Sequence, residues 1–147
     1  MNRLQQALIQ ERGPAVLALV IRVAAGGFFV AVSLGKFFEH ASETHDFDRY
    51  GVPFPATAVI VVGIVELLGG VALIAGLETR ISAAALAADM VGAIATAGRV
   101  EGGTFNLGIA PLMFILMVVI LWTGPGMWSL DRVLAHNGVT RAVADSP

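Results

Sequence analysis

Residues 56–77 read ATAVIVVGIVELLGGVALIAGL, twenty-two positions in which the one charge is Glu66. Coiled as an α-helix at about 1.5 Å per residue, the stretch covers about 33 Å, the thickness of a bilayer's hydrocarbon core. Three other stretches have the same character. One runs about 14–34 and interrupts its apolar run with Arg22 and Ser33; Pro14 at its start suits a first helical turn. Another runs about 81–98, is built largely from alanine and carries Asp89. The last runs about 107–123 and is uncharged. All four meet the roughly 17–25 residues a spanning helix needs. The expected fold is an all-α membrane protein: a four-helix transmembrane bundle in a single domain over 1–147.

Composition agrees. Of 147 residues 56% are hydrophobic and 14% charged, against about 25% charged in an ordinary soluble domain. A net charge of −2 offers no basic surface for a phosphate backbone, so nucleic acid is not an expected partner. Cysteine is absent. That excludes disulfides, thiolate-ligated clusters, c-type haem attachment and a catalytic thiol, so no covalently bound cofactor is expected. The first span is not a signal peptide by pattern: it is too long, has Arg22 in its middle and lacks a small-x-small cleavage site.

Connections are uneven. A long first loop, 35–55, holds most of the loop charge. A tight turn at Glu78-Thr79-Arg80 makes the second and third spans antiparallel neighbours. A short glycine-rich loop covers 99–106. After Gly124, Trp128 with Leu130, Val133 and Leu134 suggests a short interfacial helix, and 137–147 should fray. With both termini cytoplasmic the inner side holds Arg3, Arg12, Arg80, Arg132 and Arg141, and the outer side Lys36, Arg49 and Arg99. This bias favours that orientation.

Three charges stand where charge is expensive: Arg22, Glu66 and Asp89. A charge at bilayer centre costs about 2.5–3.5 kcal/mol even on insertion scales, so such groups pair or line a polar cavity. Counted from the segment ends, Arg22 and Asp89 lie about 12 Å deep and Glu66 about 16 Å. Each shares a helical stripe with small residues: Arg22 with Gly26, Phe29, Ser33 and Lys36; Glu66 with Val59, Gly63, Gly70 and Leu73; Asp89 with Ser82, Ala85, Gly92, Ala93 and Thr96. The expectation is an Arg22–Glu66 pair with Asp89 near it. That arrangement serves either as a staple between helices or as a pocket that binds a ligand or relays protons. Lys36, at the outer end of the first span, either snorkels to the interface or faces an entering ligand. In the first loop, His40, His45, Asp46 and Asp48 are ligand types whose spacing matches no defined metal site. A solvated acidic helix fits them better, laid on the membrane by Phe37, Phe38, Phe47 and Tyr50. Met90, Met113 and Met117 read as packing residues.

The order of several short motifs resembles the DoxX-like family of small four-helix membrane proteins, over about Val20 to Leu134. The pieces are Arg22 with Gly26-Gly27, Gly35-Lys36-Phe37, Gly51-Val52-Pro53-Phe54-Pro55, Glu66-Leu67-Leu68-Gly69-Gly70, Gly76-Leu77-Glu78-Thr79-Arg80, Gly124-Pro125-Gly126 and Ser129-Leu130-Asp131. The resemblance implies a multi-pass protein of the bacterial or archaeal plasma membrane and a link to quinone-dependent redox reactions or redox homeostasis. It departs at the fourth span, where relatives often carry a Gly-aromatic-Glu start. Here Asn106-Leu107-Gly108-Ile109-Ala110-Pro111 has no acid, which puts direct transfer of an enzymatic activity in doubt.

Three functions remain open on the sequence. In the first, the chain is a quinone-interacting subunit of a membrane oxidoreductase: Arg22 and Lys36 hydrogen-bond quinone carbonyls, Glu66 and Asp89 exchange protons, and a protein partner in a larger complex brings electrons. In the second, it is a non-catalytic membrane anchor or assembly factor. In the third, it is a small carrier, disfavoured because neither an inverted repeat nor a broken-helix pair is visible.

Overall fold

A computed structural model describes residues 3–126, 128–131 and 133–134, with side chains from residue 16 onward. The chain runs α1 (Arg3–Phe38), α2 (His40–Arg49), α3 (Pro55–Ala75), α4 (Thr79–Ala95), α5 (Ala97–Val100), a π-helical turn (Phe105–Ile109) and α6 (Ala110–Thr123). Among the described residues four helical stretches are long and apolar enough to cross a membrane: Val16–Phe38, Pro55–Ala75, Thr79–Val100 and Phe105–Thr123. Strands are absent from the described residues. Pro14 lies inside α1 rather than at its start, a difference that matters for Arg22 below.

Local chemistry sets the ends. Pro55 opens α3 and Gly76 closes it in the left-handed region at φ 69°. The Gly76 N–H donates to the Leu73 carbonyl and the Leu77 N–H to that of Ala72, which satisfies two orphan acceptors. The chain then turns directly into α4. That helix breaks at Thr96, whose hydroxyl donates back to the Gly92 carbonyl, and resumes as α5. The third loop is therefore shorter than the sequence suggested.

Packing is centred on one apolar cluster in which Phe29, Leu73, Leu86 and Met117 are fully buried. Met90 and Met113 join it, as their reading as packing residues required. Helix α1 approaches α3 backbone to backbone at Gly26 and Gly70. A Cβ on either would stand 2.6–2.7 Å from the other's carbonyl oxygen, so only glycine fits. Outward faces carry exposed apolar side chains such as Leu17, Leu68, Ile81 and Trp122, the surface a lipid environment covers.

One end of the bundle carries α2, α5 and the π-helical turn. The opposite end carries the α3–α4 turn and the chain after α6. There, the Asp131 N–H donates to the Gly76 carbonyl. Asp131 in turn accepts from the backbone N–H of Glu78 (2.7 Å) and of Thr79 (3.0 Å), a distant carboxylate capping the start of α4. Where the interfacial helix is expected, residues 130–131 and 133–134 are helical, and the Val133 N–H donates to the Ser129 carbonyl. The stretch expected to fray, 137–147, lies outside the described residues.

Candidate functional site: a cavity floored by an intramembrane ion pair

Two register relations decide which charges meet. On α1 and α3, Gly26 packs against Gly70 and the Lys36 stem against Gly63. On α3 and α4, Gly69 packs against Leu86, so three residues further along each antiparallel helix Glu66 stands opposite Asp89. Helical side chains lean toward their own N-terminus. Lys36 therefore leans inward along α1, and Glu66 leans along α3 toward the α2 end. Their tips converge: Lys36 Nζ lies 2.8 Å from Glu66 Oε2 and donates to Oε1 at 3.1 Å. Both side chains are buried, 8% and 3% exposed. The Asp89 carboxyl faces that of Glu66 within hydrogen-bond reach and lies in the field of Lys36. Its Oδ2 is buried without a hydrogen-bond partner.

The expected Arg22–Glu66 pair does not form. Because Gly26 meets Gly70, Arg22 is level with Ile74, about eight residues or roughly 12 Å along α3 from Glu66, and its side chain leans further away, to Gly76. Its guanidinium donates to the carbonyls of Pro125 and of Trp128, the latter at 2.6 Å. The count of residues from Pro14 set no register between α1 and α3, because that proline lies inside α1 and does not mark its start. Arg22 is buried at 3% exposure, but as a latch that ties α1 to the chain after α6. A Cβ at residue 76 would stand 2.6 Å from the Arg22 Nη1, a second reason for glycine there.

Lys36, Glu66 and Asp89 form the floor of a cavity of about 650 Å³. Its inner walls are apolar, with Phe28, Val32, Val62 and Met90 among them, and Phe28 stacks on Phe105 at 6.3 Å between ring centres. Its outer part is lined by Glu43, Asp46 and Phe47 from α2, by Tyr50 just after it, and by Glu101 and Asn106. Phe47 and Tyr50 thus face the cavity instead of lying on the membrane surface, while Phe38 remains 83% exposed. Arg49 spans the rim, 3.3 Å from both Asp46 and Glu101. Burial, with the neighbouring Glu101 and Asp46 carboxylates, pushes the Tyr50 phenol up from its ordinary value.

Asp89 sits at the edge of the buried face of α4, not at its centre, which is why it opens onto space. The sequence stripes of Arg22 and Glu66 are buried throughout; in that of Asp89 only Ser82 is buried, while Ala85 and Gly92 are exposed. Sequence reasoning missed Glu101, Tyr50 and Asn106 as cavity residues, because only the fold brings α2 and the α5 end over the same opening. His40, His45, Asp46 and Asp48 form no cluster of metal-ligand groups among the described residues.

A family model described as DoxX matches residues 17–99. An uncharacterised membrane protein of Mycobacterium tuberculosis is 32% identical over 144 residues, 88% of each chain. A Bacillus subtilis protein named "Putative oxidoreductase CatD" is 29% identical over 113 residues, 77% of this chain and 83% of the relative. No solved structure matches. Four apolar spans and the family match over more than half of its length agree: this chain belongs to the DoxX family.

Proposed function

We propose that the protein is the membrane-integral, quinone-binding subunit of an oxidoreductase or redox-homeostasis complex in the plasma membrane, with both termini cytoplasmic. The observation that carries the reading is the cavity: an apolar chamber within the roughly 300–1,000 Å³ range of small-molecule sites, floored by one ammonium and two carboxyls. Lys36 Nζ is a donor for a ligand carbonyl, and the unpartnered Asp89 Oδ2 is an acceptor for a ligand hydroxyl. A bound quinone would supply two-electron, two-proton chemistry; Glu66 and Asp89 hold and pass protons at their carboxyl oxygens, and Phe28, Val32 and Phe105 offer apolar walls to its ring. Without cysteine the chain offers no thiol-based redox centre, so a protein partner brings the electrons. The oxidoreductase name of the Bacillus relative points the same way.

The runner-up is a non-catalytic anchor in which Lys36–Glu66 only staples α1 to α3. It is favoured by the full burial of that pair and opposed by the orphaned Asp89 oxygen beside it. Equilibrium binding of a short-chain benzoquinone and naphthoquinone to purified protein in lipid nanodiscs separates the two. Asp89→Asn and Lys36→Met should each weaken binding tenfold or more, with the helix content kept. Unchanged binding in both, or none in the parent protein, would sink the quinone assignment.

A further inference from the structure

The cavity reaches from the intramembrane triad to the end of the bundle that carries α2. Toward the other end the triad meets a closed layer. Phe29, Leu73, Ala83, Leu86 and Met117 are fully buried there, and α1 and α3 touch backbone to backbone at Gly26 and Gly70. Beyond that layer the Arg22 latch seals the bundle. Water has a route to Glu66 and Asp89 from one side of the membrane, and a packed apolar layer blocks the other.

The route is also charged. Its outer stretch is lined by Glu43, Asp46 and Glu101, and its floor by Glu66 and Asp89, against the ammonium of Lys36. Arg49 partly offsets Asp46 and Glu101 from the rim, and Tyr50 is neutral. Low-dielectric walls strengthen the resulting field, which concentrates cations and depletes anions along the passage. From the geometry we infer that the Lys36–Glu66–Asp89 triad exchanges protons with the α2 side alone, through an acid-lined mouth that admits neutral and cationic solutes and rejects anions. This deepens the ligand-site reading, on which it rests: the ligand is a neutral or cationic head group, not a carboxylate amphiphile, and its protons are exchanged on one side of the membrane.

The absence of cysteine makes the test clean. Single cysteines at Gly92, where a new Cβ meets nothing within 4 Å, and at Ala93 report on the chamber. Ser42→Cys and Leu77→Cys mark the two ends. Full-length protein in oriented proteoliposomes is treated from each side with membrane-impermeant methanethiosulfonates, one a trimethylammonium and one a sulfonate. Gly92→Cys and Ala93→Cys should react from the side on which Ser42→Cys reacts, with the cationic reagent at least tenfold faster relative to their rates on Ser42→Cys. Adding Asp46→Asn with Glu101→Gln should bring that ratio close to one. Reaction from the Leu77 side, equal rates for both reagents, or no reaction from either side overturns the inference. One-sided, cation-selective labelling that a saturating short-chain quinone fails to slow upholds the mouth and counts against the quinone assignment alone.

Discussion

Removing one partner of the Lys36–Glu66 pair should cost far more than removing both. At 2.8 Å and an effective dielectric near 20, the attraction is about 6 kcal/mol before desolvation. Taking two ions out of water costs several kcal/mol each, so the pair as a whole sits near break-even against an apolar pair of the same size. A single change leaves one buried charge unmatched, worth about 3–5 kcal/mol. Lys36→Met and Glu66→Gln should therefore each destabilise by about that amount, and the double variant by much less, a coupling of at least about 3 kcal/mol. Reversible unfolding by sodium dodecyl sulfate in mixed micelles, followed by far-ultraviolet circular dichroism, reads the cycle. Arg22→Gln combined with Glu66→Gln is the control. Arg22 bonds the Pro125 and Trp128 carbonyls, so this pair should add within about 0.5 kcal/mol. Additivity at Lys36 and Glu66, or strong coupling between Arg22 and Glu66, would refute the register argument.

Two further outcomes follow from the ends of the bundle. Burial raises the Asp131 carboxyl, but the hydrogen bonds from Thr79 and Glu78 and the charge of Arg22 outweigh it and hold the group below the usual carboxylate range. Its contribution is therefore present above the unfolded carboxylate pKa and is lost as pH falls through the lower, folded value. Asp131→Asn should cost about 1 kcal/mol near neutral pH and flatten the acid limb of a melting-temperature profile; an unchanged limb refutes the cap. Tyr50, the single tyrosine, should resist ionisation in an alkaline absorbance titration, and Glu101→Gln should bring its titration back toward the ordinary phenol value of about 10. An ordinary titration in the parent protein would place the ring away from the cavity mouth.

The amino-acid sequence alone determined the class of the molecule. Apolar runs of spanning length leave no alternative to helices, because a backbone in lipid must satisfy its own hydrogen bonds. Glycine and proline at Pro55, Gly76 and Gly124 punctuate those helices where the chain turns. The sequence also marked Glu66 and Asp89 as neighbours, since a tight turn between α3 and α4 fixes their antiparallel register. Which cation meets them was settled only by tertiary structure. The α1–α3 register depends on where Gly26 finds Gly70, and α1 has no short turn to α3 that would fix it. Given that register, the lean of helical side chains toward their own N-terminus favours Lys36 over Arg22. The cavity itself belongs wholly to the folded state: its mouth joins α2 to residues beyond α5, some fifty positions apart in the chain, and no local pattern brings Tyr50 to Glu101.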